Sequence, residues 1–104
     1  MFGLYNKKDI SKIEEIAKSK YEEGMRLKEQ ESYIEAVVCF DWSVQGYERL
    51  AQLANSKEKR LDYMQKERQS LQELVDVSRN NHTTLAAASV KLLHLCEKIE
   101  EMLR

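Results

Sequence analysis

The sequence predicts an all-α fold, an antiparallel up-down helical bundle, and three observations carry that expectation. Proline is absent and glycine occurs only at positions 3, 24 and 46, which removes most of the punctuation that β-hairpins need. Leu, Glu, Lys, Gln and Arg dominate, all good helix formers. Apolar residues recur at three- and four-residue steps through four stretches separated by short polar breaks. With 104 residues there is room for one domain with one core, and residues 1–104 are read as a single helical interaction domain. Residues 1–8 are expected to form a flexible arm.

Helix 1 is expected over about Asp9 to Glu29. Asp9 or Ser11 can cap it, and Ser11-x-x-Glu14 fits a capping box. Its apolar stripe, Ile10, Ile13, Ala17, Gly24 and Leu27, is narrow, as on an outer helix of a bundle. Gly24 reads as a close helix crossing, since a mid-helix glycine costs stability unless something needs the space.

Helix 2 is expected from Ser32 to about Ala54, opened by a second capping box, Ser32-x-x-Glu35. Tyr33, Ala36, Phe40, Val44, Tyr47 and Ala51 make one stripe. Ile34, Val38 and Trp42 make another, rotated by about 100° because each residue advances an α-helix by that angle. Two apolar stripes place this helix in the middle of the bundle, covered from two sides. Trp42 is expected against helix 4, with a partner anchor as the other reading of its indole.

Helix 3 is expected over about Lys57 to Arg79. Leu61, Met64, Leu71, Leu74 and Ser78 share its inner face, and Lys66, Glu67, Gln69 and Gln72 are expected to point outward. Asn80-Asn81-His82 breaks the pattern, and helix 4 follows from Thr83 or Thr84, either of which can cap it, to about Leu103. Leu85, Ala88, Leu92, Leu95, Ile99 and Met102 keep helical spacing throughout. Ala86, Ala87, Val90 and Leu93 broaden the apolar face, so this helix either covers helix 2 or docks on another chain.

Chemistry finds little support in the residues. The net charge is −1 and the basic residues alternate with acids, as at Lys57, Glu58, Lys59 and Arg60, so a phosphate-binding stripe is missing and nucleic acid is disfavoured as a partner. His82 and His94 lack the spacing that sets two imidazoles on one metal, and Cys96 lies two residues from His94, on another side of the helix. The carboxylates sit among lysines as solvated partners, and no glycine-rich phosphate loop occurs. The expectation is no enzymatic activity, no cofactor and no metal. Cys39 and Cys96 read as reduced, buried small hydrophobes, which points to a reducing compartment. No stretch approaches the ~18 apolar residues of a membrane span, and Met1-Phe2-Gly3-Leu4-Tyr5 is too short an apolar run for a signal peptide. A cytoplasmic protein is expected, with the nucleus not excluded and no membrane insertion.

At helix 2 the residues resemble a known family. Ser32-Tyr33-Ile34-Glu35-Ala36 followed by Phe40, with Val44 and Tyr47 continuing the stripe, resembles the opening of the second helix of MIT (microtubule-interacting and trafficking) domains. Lys20-Tyr21-Glu22-Glu23-Gly24 resembles the family's first helix, and a charged third helix bearing Leu71 also fits. The resemblance covers about Ile13 to Arg79, with residues 9–79 as a three-helix core and 83–103 as an added helix. It implies recognition of a helical or extended peptide between helices, of the ESCRT-III type found in membrane trafficking. On this chain the implied groove residues are Val38, Trp42 and Gln45 of helix 2, with Met64, Arg68, Leu71 and Val75 of helix 3. Helix 4, centred on Leu92, would then either fill that groove or assemble a homodimer as an adaptor scaffold.

Overall fold

The structure, a computed structural model, describes residues 9–104; the arm expected over residues 1–8 lies outside them. Four α-helices follow one another: α1 Ile10–Glu29, α2 Tyr33–Leu53, α3 Lys57–Val77 and α4 His82–Leu103. The links are three, three and four residues long, too short for anything but a reversal of direction, so successive helices run antiparallel. Each packs chiefly on its neighbour in sequence: α2 lies between α1 and α3, and α4 lies against α3. The all-α bundle expected from periodicity and composition is what forms.

The core is built from Ile13 and Ala17 of α1, Phe40, Val44 and Leu50 of α2, Leu71 and Leu74 of α3, and Leu95 and Ile99 of α4. Phe40 is fully buried, with its ring edge-on to Tyr21 at 5.7 Å between centroids. A methyl group added at Gly24 would stand 2.8 Å from Phe40 Cε1, so this glycine is the close crossing that its mid-helix position implies. Polar ties supplement the apolar contact. Ser43 Oγ and Ser70 Oγ are 2.8 Å apart inside the α2–α3 seam. Tyr63 donates to Glu14 at 2.7 Å, and the Lys28 ammonium bridges Glu73 at 2.7 Å and Asp76 at 2.9 Å, joining α1 to α3.

Helix ends differ from the expected caps in detail. Asp9, not Ser11, accepts from the Lys12 N–H and starts α1; Ser11 lies within the helix. Ser32 precedes α2 but makes no side-chain cap bond, so the Ser32–Glu35 box does not form. The link before it explains why. The Ser32 N–H reaches back to the Leu27 carbonyl at 2.9 Å and the Glu31 N–H to Lys28 at 3.0 Å, a Schellman closure of α1 that fixes the backbone on entry to α2. Its left-handed position is held by Glu31, with φ 60°, where glycine is usual. Ser56 caps α3 by accepting from Lys59. At α4 the cap is Asn81, which accepts from the Thr84 N–H, so the helix begins at His82 rather than at a threonine.

Two assignments of faces are corrected. On α2 the second stripe is not covered: Ile34 is 86 % exposed and Val38 54 % exposed. What α1 and α3 enclose is one broad face, widened by Ala36, Cys39, Ser43, Gly46 and Leu50, whose small residues let two helices approach side by side. On α3, Glu67 does not point outward but is 4 % exposed. It follows Met64 by three residues and precedes Leu71 by four, which places it within the inner stripe whatever its charge.

Candidate functional surfaces

The residues implied as a single groove divide between two faces. Val38, Trp42 and Gln45 lie on the outward side of α2; Val38, two residues from Phe40, is rotated about 160° from it. Trp42 is half-buried, and the neighbour over its ring is the Lys20 ammonium of α1, 4.6 Å from the centroid. That corrects the expectation of helix 4 at this position, because α4 packs on α3 instead. Gln45 donates to Asp41 one turn earlier, at 2.9 Å.

The four positions on α3 have a different fate. Met64, Leu71 and Val75 belong to the same apolar cluster as Ala88, Leu92, Leu95 and Ile99 of α4. Leu71 is fully buried and Arg68 is half-buried. α4 packs on α3, and Met64 borders Leu95 of α4, so part of the α3 surface on which the resemblance would seat a peptide is taken by this chain's own α4. Leu92 is half-buried and packs against the core cluster. The outward stripe of α4 is Ala86, Val90 and Leu93, with Val90 54 % and Leu93 59 % exposed.

An open cleft of about 700 Å³ remains where α3 gives way to α4. Its apolar lining is Tyr33, Ile34, Val37 and Val38 from the start of α2 and Val77 from the end of α3. Around these stand Ser32, Asn80 and Asn81, and the charged residues of the lining, Glu31 and Glu35, are both acids. The Schellman turn positions this lip: it sends the chain into α2 directly above the α1 terminus, so that Ile34 and Val38, one turn apart, project on one side. Sequence spacing already grouped Ile34 with Val38. Their pairing with Val77 depends on where two helix ends meet, which no local pattern encodes.

A second polar site lies at the α3–α4 seam. An open cavity of about 590 Å³ there is bordered by Glu48 of α2, Arg60 and Glu67 of α3, and Lys91, His94 and Lys98 of α4. Lys91 joins α4 to α2 through Glu48 at 3.2 Å. Burial, and then the negative charge of Glu48, push the Glu67 carboxyl up to about 7 from its ordinary 4.5; Lys91 and Lys98 oppose this only in part. Tyr63 is likewise held up at about 12 by burial and by its bond to Glu14. Among the described residues no group of three or more His, Cys, Asp or Glu side chains could hold a metal ion, and Cys39 and Cys96 are free thiols.

No protein-family model, curated protein or solved structure matches this chain. The two surfaces are thus read from their own geometry. The cleft offers apolar contact with acidic edges, and the seam offers a buried carboxyl between two helices. Among the described residues no helix is long and apolar enough to cross a membrane.

Proposed function

We propose that this chain is a non-enzymatic protein-interaction module that receives a helical partner segment in the cleft at the start of α2. The observation that carries the reading is Ile34, 86 % exposed beside Val38 at 54 %. Exposed aliphatic side chains one turn apart, over a concave apolar floor, suit the i, i+4 anchors of an amphipathic helix. Charge selects among such helices. Glu31 and Glu35 flank the cleft, so the partner carries lysine or arginine beside its apolar anchors. The first three helices act in this reading as an MIT-like core, as the resemblance around Tyr33, Ala36 and Phe40 implies, and a trafficking role goes with it. The open part of the recognition surface is then the cleft that α4 leaves uncovered. A cytoplasmic or nuclear setting agrees with two free thiols.

The test is an NMR titration with a leucine/lysine amphipathic peptide of about four turns, and with a leucine/glutamate peptide of the same pattern as control. Amide shifts should concentrate at Tyr33, Ile34, Val37, Val38 and Val77, and disappear with Ile34→Asp, a substitution at a solvent-exposed position that leaves the fold intact. Equal response to the acidic peptide, or shifts elsewhere, would overturn the assignment. A second reading has its own observation: the outward α4 stripe of Ala86, Val90 and Leu93 could join two copies as a scaffold. Light scattering distinguishes it, since a dimer of this kind would become monomeric with Leu93→Glu.

A further inference from the structure

Glu67 lies on the α3 side of the seam with α4, 4 % exposed as a residue and at the border of the open cavity, and among the described residues its carboxyl makes no hydrogen bond or ion pair. Charged groups face it from each element around it: Glu48 of α2, Arg60 of its own helix, and Lys91, His94 and Lys98 of α4. Lys91 is already engaged by Glu48. A carboxylate buried without a partner is costly, whereas the neutral acid is far less so. The helix that buries it is also the least anchored. α2 packs extensively on both α1 and α3, and hydrogen bonds tie α1 and α2 to α3, while α4 packs less extensively on α3 and reaches α2 through an exposed ion pair. On this arrangement, movement of α4 away from α3 is the opening that would expose Glu67 more fully to water.

We propose that α4 is a proton-latched helix, held on α3 while Glu67 carries its proton and released as Glu67 gives that proton to water. The sign follows from the raised carboxyl. Docking is strongest below the ordinary carboxyl range and weakens as pH rises from about 4.5 through about 7, then levels off. Between pH 5.5 and 7.5 the docking equilibrium falls about 20-fold. Release uncovers Met64, which borders Leu95 of α4, so the same acid controls access to that part of α3. The latch is independent of the cleft at Ile34, and its failure would leave that reading untouched.

Hydrogen exchange on the whole chain tests it. Protection of the Ala88, Leu95 and Ile99 amides, corrected for intrinsic exchange, should drop about 20-fold from pH 5.5 to 7.5. At pH 7.5 these amides should exchange faster than those of Phe40 and Leu50, whose opening requires global unfolding. Glu67→Gln should abolish the pH dependence and hold α4 protected at both values, with Glu67→Leu as a second neutral variant. His94→Gln should leave the dependence in place. Four results would overturn the latch: no pH dependence in the natural chain, its persistence in Glu67→Gln, its loss in His94→Gln, or α4 amides protected as strongly as the α2 core.

Discussion

At Gly24 the missing side chain is what lets the Phe40 ring lie against the backbone of α1. An added methyl would meet Phe40 Cε1, Cδ1 and Cζ at 2.8 to 2.9 Å, and the ring has no exposed space to move into. Overpacking costs ~1–3 kcal/mol, and better helix propensity returns at most about 1. Gly24→Ala should therefore destabilise the domain by about 1–2 kcal/mol in urea unfolding, with part of the loss recovered when Phe40→Leu is added. Phe40→Ala alone should cost ~3–5 kcal/mol, as for an emptied core aromatic site; a cost under about 1 kcal/mol would contradict its central place. Both residues were legible in the sequence, one from its stripe and one from its awkward position in a helix. Glu67 was equally legible by spacing, three after Met64 and four before Leu71, but charge suggests solvent more strongly than register suggests burial. The rule that acids stay outside is a tendency of solvation, and packing geometry overrides it where neighbouring side chains leave no other direction.

At the scale of the helix, existence and order were readable while ends were not. Periodicity extends over twenty residues, so four helices follow from many weak preferences that agree. A cap depends on one backbone conformation, and at Ser32 the Schellman turn before it determines that conformation. Glu31 at φ 60° is where this turn stores strain, since a left-handed L-residue costs ~1–2 kcal/mol. Glu31→Gly should thus raise stability by about 0.5–1 kcal/mol in thermal or urea unfolding, part of the relief being offset by a freer unfolded chain. A loss instead would mean that the glutamate side chain supports the turn. The α2–α3 seam offers a separate test. Ser70→Ala leaves the buried Ser43 hydroxyl without its partner and should cost about 1–3 kcal/mol, whereas Ser43→Ala combined with Ser70→Ala should cost less than the single change.

For the whole molecule, two carboxyls on α3 give stability opposite dependences on pH. Bonding by Lys28 holds Asp76 below its ordinary range, so its contribution is present above that range and lost as pH falls through the lowered value. Glu67 is held up at about 7, so its contribution is complete below the ordinary 4.5 and lost as pH rises through about 7. Between the two losses, these two groups together favour the fold most at about pH 4, where the Asp76 contribution is largely in place and the Glu67 loss has hardly begun. The candidate surfaces fit within this balance. Their apolar residues were readable as stripes, but which stripe stays open depends on α4 choosing α3 over α2, a choice made by the summed packing of two helix faces. Glu67 opposes that choice at neutral pH, and removing its charge should show by how much. At pH 8, Glu67→Gln should raise the unfolding free energy by about 1–3 kcal/mol, while at pH 4.5 the variant and the natural chain should nearly coincide. Equal effects at both values would mean that the substitution acts through packing and that the carboxyl carries no charge at the seam when the domain is folded.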